Sequence, residues 1–199
     1  MKYFILGMLT TLFLFGVLFV YLSKWGAKPR HDATSPQPLY EDWLVQSEQM
    51  AADPERGSVD EKAWIQKVER AFSPFTPESA QQYFPLAYAE KFYFRDAFHV
   101  FTERDEMVAY MVSSAEMSPG VTFDFSPVAR RGIDFYLPWV MVLPSKSGGE
   151  PQRSVGLSHL RFNAEGQVIF HQDYWDSADV LVPKVPVANG LIELVRRRF

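Results

Sequence analysis

Cysteine is absent from all 199 residues, which excludes disulfides and thiolate metal sites while fitting either an oxidising or a reducing compartment. Basic charge is scarce in the part of the chain that would meet a partner. Beyond Arg30 stand 16 basic residues against all 24 acidic ones, a formal balance of −8. Such a surface lacks the clustered cations that phosphate backbones require, so no nucleic-acid partner is expected. Arg196, Arg197 and Arg198 are a local exception, read as the cationic end of a closing helix rather than a phosphate or lipid site. The chain shows no internal repeat, no HxxxH pair and no nucleophile elbow around Ser158. His171 and Asp173 with Asp96 make a poor ligand set, and neither a metal nor another cofactor is expected.

Charge is missing altogether from Tyr3 to Ser23, YFILGMLTTLFLFGVLFVYLS. At about 1.5 Å per residue, a helix of that length crosses a hydrocarbon layer of about 30 Å. Trp25-Gly26-Ala27 is a poor cleavage site, so the stretch reads as an uncleaved single-pass anchor. Lys24, Lys28 and Arg30 outnumber Lys2 and lean toward a cytoplasmic soluble domain. The expected organisation is an anchor over residues 1–27, a linker and adaptor helix over 28–57, and a folded domain over 58–199. The linker, KPRHDATSPQP, has three prolines and small polar residues.

Along the domain, helical and alternating periods follow one another. Leu39–Ala52 reads as a short helix. Ser58 and Glu61 form a capping box for a second, whose apolar face would include Val59, Ala63, Val68 and Phe72. Thr76-Pro77 opens a third. A strand begins near Tyr88, with Phe92, Phe94 and Asp96 on one face, which points the carboxylate inward. Glu103–Met117 is helical again, with Met107, Val108, Tyr110, Met111 and Ala115 as packing residues. Val121–Val128 alternates, and Ile133–Leu143 is a long strand in which Pro138 suggests an edge or a bulge. Leu181–Pro186 reads as extended and Leu191–Arg198 as a short closing helix. This order argues for α+β, with helices packed on one strongly curved antiparallel sheet.

Ser154–Asp176 is the most informative stretch, a hairpin turning at Asn163-Ala164-Glu165-Gly166. If Phe162 pairs with Gln167, Ser158 lies opposite His171, and Ser158, Leu160, His171, Asp173 and Trp175 share one face. If Gly166 forms a bulge, Gln172 and Tyr174 join Ser158 instead. His159 falls on the face opposite Ser158, as a surface or interface histidine. Tyr174 and Asp176 read as supporting or dimer contacts.

FRDAF at Phe94–Phe98 and SHLRFNAEGQVIFHQDYWD at Ser158–Asp176, in this element order, resemble the nuclear transport factor 2-like superfamily. The SnoaL-like, ketosteroid isomerase-like bacterial branch is the most similar, over roughly Val59–Trp175. The resemblance implies a cone-shaped curved sheet closed by helices around an apolar pocket, commonly dimeric through the outer sheet face. It favours the first hairpin register and places Asp96 at the general base of the isomerases. Two positions depart from the isomerases: Ser158 stands where they carry a neutral carboxylic acid, and Phe72 lies near their oxyanion tyrosine. The implied function is a pocket for an apolar small molecule, with Asp96, His171 and Asp173 as acid–base groups of an isomerase, dehydratase or epoxide hydrolase. Ser158 would bond a developing oxyanion, while Leu160, Trp175, Phe92 and Phe94 would line the pocket. The other reading is a non-catalytic ligand-binding or homodimeric interaction module, tethered in either case to a bacterial inner membrane.

Overall fold

The computed structural model describes residues 37–145, 148–176 and 198. The expected anchor, the linker through residue 36, Leu181–Pro186 and the closing helix before Arg198 lie outside them. Among the described residues no helix is long and apolar enough to cross a membrane. The elements run α1 (Gln37–Met50), α2 (Val59–Phe72), α3 (Pro77–Ala87), β1 (Tyr88–Arg95), β2 (Val100–Glu103), α4 (Arg104–Met117), β3 (Thr122–Phe125), β4 (Ala129–Arg131), β5 (Asp134–Leu143), β6 (Gln152–Phe162) and β7 (Val168–Trp175).

The strands form one curved, open sheet in the order β2-β1-β7-β6-β5-β3, with β4 also paired to β5. It is mixed rather than wholly antiparallel, because β1 pairs with β7 in parallel. That pairing joins strands far apart in the sequence, which no local hairpin signal reveals. Pro138 is neither on an edge strand nor at a bulge. It sits in β5 opposite the break between β3, whose last pair is Phe125 with Trp139, and β4, whose first is Ala129 with Tyr136. Its carbonyl accepts from Ser126 N at 3.0 Å, so the missing N–H falls on the same side, where no ladder bond is needed.

The caps form where the residue types call for them. Ser58 Oγ accepts from Glu61 N at 3.1 Å, and Thr76 Oγ1 from Ser79 N at 3.2 Å. The face of α2 differs from expectation, since Val59 is exposed while Glu61, Trp64, Val68 and Ala71 are buried. Glu61 can be buried because its carboxylate takes Gly57 N and lies 3.6 Å from Arg130 Nη1. On the inner face of the sheet, Tyr88, Phe92, Phe94, Phe135 and Phe162 are fully buried, with Phe84 of α3 against Tyr88. Each such aromatic contributes about 1.5–3 kcal/mol through the area it removes from water.

The outer face is covered too, which explains why Ser158–Phe162 and Val168–Gln172 are buried without interruption. Helix α1 lies there. The Tyr40 ring packs 6.1 Å from Tyr93 and 5.8 Å from Phe170, and Arg161 Nη1 donates to Leu44 O at 2.6 Å and Ser47 Oγ at 3.0 Å. Ala52 N donates to Phe162 O at 2.8 Å. His159 is therefore not a surface histidine. It is on the outer face as expected, but buried and bonded through Nε2 to Asp134 Oδ1 at 2.7 Å, beside Arg161 Nε at 2.6 Å from the same oxygen.

Burial holds the His159 imidazole below its ordinary value and the Arg161 guanidinium adds to this, against the opposing pull of Asp134. Burial also works to raise Asp134, but hydrogen bonds from Arg161 and His159 outweigh it and leave the carboxyl below its usual range. Both groups bind protons more weakly when folded, so both contribute stability that is complete above their unfolded values and lost as pH falls. The His159 part is lost first, below about pH 6.5. In chemical denaturation from pH 7.5 to 5, wild type is expected to lose more stability than His159→Gln. Parallel curves would mean that titration of this imidazole does not contribute to stability.

Candidate functional site

The hairpin brings Ser158, Leu160, His171, Asp173 and Trp175 to one face, but with different cross-strand partners from those expected. Ser158 pairs with Asp173 and Leu160 with His171. Asn163 N bonds to Gln167 O, lengthening the turn by one residue, and an irregularity between Arg161 and Phe162 adds a second shift. Two one-residue shifts cancel in parity, so the face survives while the pairing moves by two.

A cavity of about 310 Å³ opens on this face between the sheet and helices α2 and α4. Its wall is mostly aromatic and aliphatic, including Phe72, Phe94, Phe123, Trp139 and Trp175. The exposed Phe98 and Met117 mark its mouth. Of the residues singled out in the sequence, Asp96, Ser158, Asp173, Trp175 and Phe94 line it. Phe92 and Leu160 are wholly buried in the core and form no part of the lining, because the cavity begins nearer the C-terminal end of β1. His171, also fully buried, lies one layer behind Asp173 and Ser158.

The polar groups form two clusters. In the first, Trp139 Nε1 donates to Ser158 Oγ at 3.0 Å, and Ser158 Oγ donates to Asp173 Oδ1 at 2.5 Å. His171 Nε2 lies 2.7 Å from the same Asp173 oxygen, and its Nδ1 lies 2.6 Å from the Tyr88 hydroxyl. Counting protons fixes the tautomer. Burial, with the Asp173 charge adding, pushes the Tyr88 phenol well above its ordinary value, so it keeps its proton and donates to Nδ1. Nε2 then carries the hydrogen that Asp173 accepts. A proton on Nδ1 would strand the Tyr88 hydrogen in a fully buried position, at about 1–3 kcal/mol. The Ser158 hydrogen is committed to Asp173, so Ser158 is not the oxyanion donor expected of it.

The second cluster is built on Asp96. Its Oδ1 accepts from Phe98 N at 2.6 Å and His99 N at 2.7 Å, closing the turn after β1, and its Oδ2 accepts from the Tyr110 hydroxyl at 2.5 Å. Both oxygens are engaged, and no hydrogen bond joins Asp96 to His171 or Asp173. Burial first, then the bond to Asp96, raises the Tyr110 phenol well above its usual range. Sequence reading missed Tyr88, Tyr110 and Trp139 as polar participants. Tyr88 carried a usable signal, sharing even positions with Phe92 and Phe94. Tyr110 read only as helix packing.

No family model matches the sequence, and no curated protein does either. Solved structures do. A SnoaL-like protein from a Jannaschia species superposes with a TM-score of 0.52 at 15% identity, covering 65% of this chain and 96% of the other. The fold is nuclear transport factor 2-like. A SnoaL-like family protein from Agrobacterium tumefaciens gives 0.51 at 16% identity, over 60% of this chain and all of the other. A hypothetical protein with a ketosteroid isomerase-like fold from Catenulispora acidiphila, solved with trimethylamine, gives 0.51 at 17%, over 65% and 92%. In the nuclear transport factor 2-like fold of this chain, the cavity lies on the inner face of the sheet and α1 on the outer face.

Proposed function

We propose that the domain binds an apolar small molecule and moves a proton on it, with Asp173 as the base. The observation that carries this is the asymmetry of the Asp173 carboxylate. Oδ1 is held by Ser158 and His171, whereas Oδ2 has no hydrogen-bond partner among the described residues and belongs to a side chain in the cavity wall. A carboxylate oriented at one oxygen and free at the other, in an apolar cavity, is arranged for general-base work. His171 acts as the positioning residue, fixed in turn by Tyr88. Asp96, placed by family resemblance at the isomerase base, serves here to close a turn and hold Tyr110. Residues 3–23 would tether the domain to a membrane, giving it access to molecules that partition there.

The reading is tested by solvent deuterium exchange into apolar ketones and lactones, neutral and amine-bearing, catalysed by the full chain. The control is Gly156→Leu, since a Cβ at Gly156 would stand 2.1 Å from the Trp139 ring in the cavity wall. Exchange is expected in wild type and lost in the control. Exchange that persists with Trp139 displaced from the cavity wall would place the chemistry elsewhere, and binding without exchange would make the domain a ligand-binding module.

A further inference from the structure

The charge of the cavity points to the class of ligand, an inference that rests on the pocket reading above. Two carboxylates line it, Asp96 and Asp173, and among the described lining residues there is no lysine, arginine or histidine. No lysine or arginine among the described residues pairs with either. Asp96 is held by two backbone amides and a phenol, and Asp173 by a serine hydroxyl and the His171 imidazole. Among the described residues the basic group closest to Asp96 is the half-exposed His99, whose Nδ1 is 3.8 Å from Oδ1 and which lies outside the lining. A site of this sign repels carboxylates and phosphates.

The surroundings of Asp96 add a second attraction. Tyr110, Phe98 and Trp175 line the same end of the cavity, with the Phe98 and Trp175 rings edge-to-face at 6.4 Å. Aromatic faces attract cations through their quadrupole, more strongly when the cation is partly desolvated. An aromatic wall beside a fixed carboxylate suits an ammonium bearing apolar substituents better than a compact, strongly hydrated metal ion. We propose that this cavity takes an apolar amine in its ammonium form, with the cationic end at Asp96 among Tyr110, Phe98 and Trp175, next to Asp173 on the neighbouring strand, and the apolar body extending along the aromatic wall. The two carboxylates then divide the work. Asp96, locked by three hydrogen bonds, is the counter-ion, and Asp173, with no hydrogen-bond partner at Oδ2 among the described residues, faces the ligand atoms next to the ammonium group.

The test compares benzyltrimethylammonium with its uncharged isostere neopentylbenzene, by calorimetry at pH 8, where an ordinary histidine is neutral. Both probes are titrated into the full chain and into Asp96→Asn, which keeps the turn's acceptor oxygen and removes the charge. The variant is expected to bind the ammonium about tenfold more weakly and the isostere within about twofold of wild type. The unchanged isostere also reports that the cavity is intact. If the isostere binds wild type and the ammonium does not, or if the variant weakens both alike, the amine inference fails while the apolar pocket stands. If neither probe binds wild type, both readings fall.

Discussion

Asp173→Asn is expected to slow solvent deuterium exchange into a bound ligand by about 10²- to 10⁴-fold, the usual worth of a positioned general base. The variant retains an oxygen able to accept from Ser158 and from His171 Nε2, so the cluster that orients residue 173 persists. What it loses is a second oxygen with basicity. The loss should therefore fall on kcat with little change in KM, the signature of an interaction made in the transition state rather than the ground state. Affinity for an uncharged ligand should stay within about twofold of wild type, because the carboxylate contributes little to apolar contact. A loss smaller than tenfold would return the base to Asp96, despite its three hydrogen bonds.

Gly166→Val is expected to destabilise the domain by about 3 kcal/mol, lowering Tm by roughly 10 °C. Two independent costs combine. Gly166 has φ of 70°, in the left-handed region that a β-branched residue strongly disfavours. A Cβ there would also stand 2.1 Å from Cδ1 and 2.2 Å from Nε1 of Trp64, whose indole packs 5.7 Å from the Phe162 ring. Moving that indole disturbs the core beneath the hairpin turn. Gly132 provides the comparison, having φ of 57° but nothing within 4 Å of its Cβ position. Gly132→Val should therefore show the backbone cost alone, on the order of 1–2 kcal/mol. Equal melting temperatures for the two variants would mean that Trp64 yields without cost.

Much of this arrangement is legible in local sequence, because its determinants are local. Ser58, Thr76 and Pro77 mark helix starts through bonds to their near neighbours, and the period of two puts His171 and Asp173 on one face, to which the resemblance, by favouring one register, adds Ser158. The misreadings arise where a distant segment changes the meaning of a residue. His159 resembles a solvent-facing histidine, but the outer face it lies on also carries α1, over 100 residues earlier in the chain and bonded to Arg161. Val59 fits a helical apolar stripe, but Glu61 takes the buried place because Arg130 and Gly57 N supply its partners. Asp96 points inward as its alternation requires, yet its function is set by Tyr110 and the turn amides, which periodicity does not describe. The cavity itself depends on which large side chains fail to meet, a property of the assembled walls rather than of any one strand.

The parallel pairing of β1 with β7 also sets the order in which the molecule can be completed. Tyr88 and His171 are 83 residues apart, so a chain emerging from the ribosome at roughly 5–20 residues per second shows β1 about 4 to 17 seconds before β7 exists. Through that interval Phe92, Phe94 and the open edge of β1 have β2 as their sheet neighbour and nothing on the other side. Contacts of this sequence separation are slow to close, and they leave the nascent domain dependent on whatever shields its aromatic strand. Asp173 and Trp175 are thus the last residues of the cavity wall to exist, and a chain truncated before β7 lacks both.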